Sequence, residues 1–307
     1  MPILLAYIGV VLIWSTTPIA IQLSNHSLSF MAACALRMLL ALAVALLINA
    51  VLRRRLFDRA GVWQVYLAAA IGIFPNMPVV YWSAQWIPSG LIAVIFSLSP
   101  FVTGLLSYWL LKENPFNRKR VLALVLAVVG IGVIFRDQLQ VDSRAAWGMG
   151  GILASCLMFS LSSVWLKKIN AGSDAFNQTA GSLLFALPGL LLFWWWIDGE
   201  WPTVVSGLSL GAVAYLAILG SLLGFTLFFY VLGNMSPSAV SLITLITPVM
   251  ALALGALVAG ERLSLHILMG AGLVVIGLLF YLDLISLVQL RKLRARLQLR
   301  SNSTGAP

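Results

Sequence analysis

The chain has 307 residues, of which 61% are hydrophobic and 9% charged, and its formal net charge is +10. A soluble domain carries about a quarter charged residues, so this composition excludes one and predicts an integral membrane protein. The basic residues sit in short clusters between apolar runs, which reads as a topology signal and excludes nucleic acid as a partner.

The first apolar run, 3–23, has no basic region ahead of it and is expected to be an uncleaved first span. Nine more runs follow, at about 28–52, 62–84, 88–111, 119–135, 147–166, 176–197, 209–232, 236–259 and 264–286. The expected fold class is therefore all-α integral membrane with ten transmembrane helices and no room for a soluble domain between them. Cys34 and Cys156 both fall inside apolar runs and read as small packing residues rather than a disulfide, redox or metal pair.

Ten spans place both ends on one side, and positive charge chooses which. With a cytoplasmic N-terminus the inner loops hold Arg53, Arg54, Arg55 and Arg59, then Lys112, Arg118, Lys119 and Arg120, then Lys167 and Lys168. The tail 287–307 adds Arg291, Lys292, Arg294, Arg296 and Arg300, and its Leu290, Leu293 and Leu297 share one face, as in a helix lying along the inner surface. Only Arg136, Arg144 and Arg262 fall outside, so both termini are expected in the cytoplasm of an inner-membrane protein. Trp194, Trp195, Trp196 and Trp201 then form an aromatic belt at the outer interface.

The stretch 81–113, YWSAQWIPSGLIAVIFSLSPFVTGLLSYWLLKE, returns at 230–261 as YVLGNMSPSAVSLITLITPVMALALGALVAGE. Each copy has a Tyr seven residues before a Pro-Ser step, at Pro88 and Pro237, and a second proline, Pro100 or Pro248. Each ends in a lone carboxylate thirteen residues beyond that second proline, Glu113 or Glu261. Weaker matches pair 14–19 with 159–164 and 128–135 with 273–280. The chain thus divides into a first five-helix unit at 1–141, a second at 142–286, and the basic tail. Because five is odd, the second unit enters the membrane inverted, and such inverted repeats build secondary transporters with the substrate near the midplane. Glu113 and Glu261 would then close opposite ends.

These features resemble the EamA-type members of the drug/metabolite transporter superfamily, which have a Trp-Ser-rich first helix, an arginine in the second, and a proline-bearing helix ending in glutamate. Here the matching positions are Trp14-Ser15, Arg37, Pro100 and Glu113, with Pro248 and Glu261 in the second copy. The resemblance covers about Tyr7 to Tyr281 and implies ten spans in two halves and transport of amino acids, nucleobase-like metabolites or drugs. The second half departs from the first, with Leu183 where an equivalent of Arg37 would sit.

Proline inside a membrane helix frees a carbonyl four residues back. By that rule Pro18 frees Trp14, Pro100 frees Phe96, Pro248 frees Thr244, and Pro75 and Pro78 free Ile71 and Phe74. Five such kinks at similar depth predict a cavity. Trp14, Trp82, Phe159, Phe225 and Tyr230 offer flat walls, and Thr17, Asn76, Ser97, Ser99, Ser163 and Thr244 offer polar contacts. Such a site suits a small, partly apolar, neutral or zwitterionic molecule, although hydroxyls in membrane helices also serve as interhelical glue. Arg37 costs at least about 2.5–3.5 kcal/mol within a span, and two roles stay open for it: binding a substrate carboxylate, or tying helix ends and freed carbonyls together.

The expected function is secondary or facilitated transport by alternating access, exporting an amino acid or a related zwitterionic or aromatic compound. No carboxylate lies near the midplane to serve a proton relay. The alternative on the same fold is a lipid or lipid-linked sugar flippase, which should line its groove with more cations than Arg37 alone. An intramembrane enzyme is the weaker reading, since the aspartates and both histidines, His26 and His266, lie at span ends. No cofactor or metal is expected. GxxxG spacings at Gly207–Gly211 and Gly220–Gly224 suit packing within a monomer as well as a homodimer.

Overall fold

A computed structural model describes residues 3–58, 60–112, 117–169, 174–199, 204–234, 243–258 and 260–281. Among these residues every regular element is helical. The first is α1 (Ile3–Ser24), and α2 (Phe30–Val51) follows, begun by Ser29, whose hydroxyl accepts from the Ala32 N–H. Each has 22 residues, about 33 Å of helix at 1.5 Å per residue, enough to cross a bilayer core.

The next two runs are not single helices. Run 62–84 folds as α3 (Val62–Ala70) and α4 (Asn76–Ser83), with Pro75 as the cap of the second. Run 88–111 folds as α5 (Ser89–Phe96) and α6 (Ser99–Leu111), separated by a turn at Ser97 and Leu98. Pro100 therefore sits in the first turn of α6, not within a continuous helix, and this corrects the expected kink. A helix start leaves its first N–H groups unpaired, so a residue without one is tolerated best there. Pro18 and Pro248 do lie inside their helices, as does Pro188.

The chain continues through α7 (Arg118–Val141), α8 (Ala145–Ile169) and α9 (Ala175–Ile197), the last capped by the Asp174 carboxylate accepting from Asn177 N–H. Then α10 (Gly207–Tyr215) passes into a π-helix (Leu216–Leu223) and on into α11 (Gly224–Asn234) without leaving its axis of apolar residues. The last two are α12 (Ile243–Val258) and α13 (Leu265–Tyr281).

Six segments among the described residues are long and apolar enough to cross a membrane: α1, α2, α5 with α6, α8, α9, and α10 through α11. The described parts of α12 and α13 are shorter apolar helices. Large apolar side chains such as Leu4, Leu47, Trp109, Trp195 and Trp196 face outward, as they must where lipid replaces water. The chain is a multi-pass membrane protein.

Helix contacts rest on small residues. The closest pair is α7 with α13, where a Cβ at Gly277 would lie 2.7 Å from the Ala123 carbonyl and one at Gly130 2.5 Å from that of Gly270. Backbone approach of that kind is how membrane helices gain packing without a hydrophobic drive. Helix α1 packs on α10, α11 and α12, α8 on α4, α5 and α6, and α2 on α9 and the π-helix. This places α1, α2, α4, α5, α8, the π-helix, α11 and α12 around one interior space.

Candidate functional site

That space is a cavity of about 100 Å³, several times the least volume that holds a single water molecule. Trp14, Thr17, Pro18 and Ile21 of α1 form one wall, and Met77 and Val80 of α4 form another. Ile92, Ala93, Phe96 and Ser97 come from α5 and the turn after it, and Phe159 from α8. Arg37, Gly220, Phe225 and Thr247 complete the lining from α2, the π-helix, α11 and α12. Aromatic faces dominate one side: Trp14 packs edge-on to Phe159 with centroids 5.9 Å apart, and Phe159 meets Phe96 at 5.2 Å. Phe228 backs them, 4.9 Å from Trp14.

The three hydroxyls in the lining spend their protons on their own helices. Thr17 donates to the Ile13 carbonyl at 2.8 Å, Ser97 to Val94 at 2.6 Å, and Thr247 to Ile243 at 2.8 Å. Each leaves lone pairs for a ligand but no donor.

Arg37 is the donor. It is 1% exposed and is among the largest fully buried side chains. Its Nε donates to the Ser221 hydroxyl at 2.7 Å and its Nη1 to the Tyr81 hydroxyl at 3.3 Å, with the guanidinium carbon 5.9 Å from the Tyr81 ring centre. The π-helix makes this possible. Its wider turns bring Ser221 onto Nε and leave Gly220 beside Nη2, where an added Cβ would stand 3.1 Å away. Inserted turns of this kind are often found at functional sites. Among the described residues no carboxylate pairs with Arg37.

The remaining sequence candidates fall elsewhere. Asn76 is fully buried, its amide donating to the Gly72 carbonyl at 2.8 Å while its oxygen accepts from Ser155 of α8. Both ends are occupied, which locks α4 to α8. Trp82 leans on Gly151 of α8, and the Ser99 carbonyl accepts from Ser160 at 3.3 Å. Ser163 donates to Phe159 at 2.9 Å, and Tyr230 packs against the cluster of Ala6, Val10 and Val231. None of these five lines the cavity. Pro248 is buried within α12; the Thr244 side chain and all of Glu113 lie outside the described residues.

Glu261 sits at one end of the cavity's helices. Its carboxylate accepts from the Ser89 N–H at 2.7 Å and the Gly90 N–H at 3.3 Å, capping the start of α5 from the other half of the chain. A Cβ at Gly255 would collide with that carboxylate, and one at Gly90 would lie 3.0 Å from the Leu252 Cα. Two glycines thus clear the space in which α5 and α12 meet. Sequence reasoning missed Ser221, saw Gly220 only as a packing glycine and Thr247 only as part of a polar stripe with Thr244, and used Tyr81 only to mark the repeat. The hint available was the Gly220–Gly224 spacing beside a buried serine.

The chain matches the EamA-like transporter family over residues 1–136 and 146–282. Protein PecM of Dickeya dadantii is 30% identical over 237 residues, 74% of this chain and 73% of that protein. The uncharacterized transporter YoaV of Bacillus subtilis is 23% identical over 278 residues, 90% of this chain and 95% of its own length. A probable amino-acid metabolite efflux pump of Salmonella typhimurium is 26% identical over 199 residues, 62% of this chain and 66% of its own. A solved crystal structure shares the fold with a TM-score of 0.65 at 18% identity, covering 94% of this chain and 97% of that one. The protein is a membrane transporter that belongs to the EamA-like transporter family.

Proposed function

We propose that the protein exports a small metabolite, an amino acid or a related aromatic compound, by alternating access through the cavity around Trp14 and Arg37. The observation that carries this reading is one cavity lined from both halves of the chain, by α1, α2, α4 and α5 of the first and by α8, the π-helix, α11 and α12 of the second. The printed name of the Salmonella relative supports amino-acid metabolites as the class. Transport by ten helices in two inverted units, 1–141 and 142–286, is part of the proposal. It is supported by the reciprocity of packing: α1 with α12 answers α8 with α6, and α1 with α11 answers α8 with α4, while α5–α12, α2–α9 and α7–α13 answer themselves. Phe159 and Phe225 act with Trp14 as stacking walls, and Thr17, Ser97 and Thr247 accept from the ligand.

Both termini are taken as cytoplasmic from the distribution of Lys and Arg. The Glu261 end is then the outer end. There α5 and α12 touch, Gln22 donates to the Ile87 carbonyl at 2.9 Å, and Ser27 pairs with Ser206 at 3.1 Å. These contacts support reading this end as an outer gate drawn shut, with Glu113 serving the inner gate as Glu261 serves this one. The test is a thermal-shift screen of purified protein against amino acids, nucleosides and aromatic drugs, followed by transport in proteoliposomes. Trp14→Ala is expected to abolish the shift and the flux. If it transports normally while the lipid-facing Leu46→Ala does not, the site lies elsewhere.

A further inference from the structure

The cavity's charge is unbalanced. Arg37 is buried, always protonated, and without an acidic partner among the described residues. A guanidinium has five N–H bonds; Ser221 and Tyr81 take two of them, which leaves three. The free ones include both on Nη2, beside Gly220 in the cavity wall. Leaving a charged donor buried and unmet is costly unless something fills the place. Among the described residues no other charged donor lines the cavity: the protons of Thr17, Ser97 and Thr247 are committed to backbone carbonyls, and the Trp14 indole N–H is a single neutral donor.

We infer that the substrate is an organic monoanion, a carboxylate on an apolar, preferably aromatic body, held by the Nη1–Nη2 edge of Arg37. The inference rests on the cavity reading above and narrows it. A carboxylate matches the guanidinium fork in shape and charge, and its body reaches the faces of Trp14, Phe96 and Phe159. The pair is then neutral in an apolar cavity. A zwitterionic amino acid would satisfy Arg37 equally well but bring in an ammonium, and among the described residues the lining offers it only the neutral lone pairs of Thr17, Ser97 and Thr247 and no carboxylate. A cation would add to the imbalance. The ranking by charge is therefore anion over zwitterion over cation, for one and the same ring.

Three probes with a common phenyl body separate these cases: 3-phenylpropanoate, phenylalanine and phenethylamine, titrated against purified protein in nanodiscs by calorimetry and by melting. The expected order is the anion at least about tenfold tighter than the zwitterion, with no binding of the amine. A hydrogen-bonded charge pair of this kind is worth about a ten- to hundredfold change in affinity, so Arg37→Gln should lose that much for the anion while its already weak affinity for phenylalanine changes less. Arg37→Lys, which keeps the charge and loses the fork, should fall between. Gly220→Ala guards against a folding failure of the arginine variants. It keeps every charge but pushes a methyl against Nη2, and should weaken the anion several-fold. The inference is overturned if phenylalanine binds as tightly as 3-phenylpropanoate, or if Arg37→Gln lowers the melting temperature yet keeps the ratio between the two probes. In either case the cavity reading survives. If no probe of any charge shifts the wild-type protein, both fall together.

Discussion

Removing the Glu261 carboxylate should release one end of the bundle. In the structure it accepts two backbone N–H groups at the start of α5, at 2.7 and 3.3 Å, while the side chain itself belongs to the loop after α12. Hydrogen bonds to a charged group are worth about 1.5–3 kcal/mol when well formed, and a carboxylate at a helix start adds about 0.3–1 kcal/mol. The longer of the two bonds and the partial exposure of Glu261 argue for the low end, so we take roughly 2 kcal/mol for the latch. At 1.4 kcal/mol per tenfold, Glu261→Ala should shift the balance between closed and open forms of the proposed outer gate by about 30-fold. A population of 99:1 would become roughly three to one. Glu261→Gln retains an acceptor oxygen without the charge and should lose about half that energy, close to fivefold. Spin labels at Gln85, in the turn after α4, and at Leu265, the first residue of α13, both exposed, placed in a background lacking Cys34 and Cys156, report the separation directly. The wild-type protein should give one short distance; Glu261→Ala should add a longer component of about a quarter of the signal. An unchanged distance distribution together with a lower melting temperature would make Glu261 a static cap and refute the latch.

Gly90→Ala should prevent α5 and α12 from closing, because the new methyl would lie 3.0 Å from the Leu252 backbone; the same label pair should read longer distances, with transport lowered more than binding. Asn76→Ala should leave the Ser155 and Gly72 groups unpaired, lowering stability by about 1–3 kcal/mol as read by melting, while affinity for a cavity ligand stays within about twofold. Ser221→Ala should free the Arg37 Nε and weaken 3-phenylpropanoate several-fold by calorimetry, with the opposite result, unchanged affinity, showing that Ser221 does not position the fork. For topology, single cysteines at the exposed positions His26 and Asp58 should label from outside intact cells at 26 alone; labelling at 58 alone would invert the orientation.

Much of the architecture was legible because a membrane protein writes its class into composition. Apolar runs must be about twenty residues long to cross lipid, and every backbone group inside must be paired, so a run of that length commits to helix. The duplicated Tyr, Pro-Ser, Pro and Glu spacing exposed the family likeness for the same reason, since these residues punctuate helices locally. Helix breaks were harder. Pro100 announces a disturbance but not whether the helix kinks around it or starts afresh one residue earlier, and the second proved true.

What only tertiary structure decided is where each polar side chain spends its hydrogen bonds. Asn76 and Thr17 are both polar residues within apolar helices, yet Asn76 is consumed by Gly72 and by Ser155, 79 residues away, while Thr17 faces the cavity. No local pattern separates them. Arg37 was visible as a costly charge, but its meaning depends on Tyr81 and on Ser221, 184 residues along the chain in a π-helix that periodicity does not reveal. Glu261 likewise acquires a role only through the Ser89 and Gly90 N–H groups, which lie some 170 residues earlier. Composition and spacing determine which residues a membrane must bury, because burial depends on the solvent; pairing among buried groups depends on which helices meet, and that is a property of the fold.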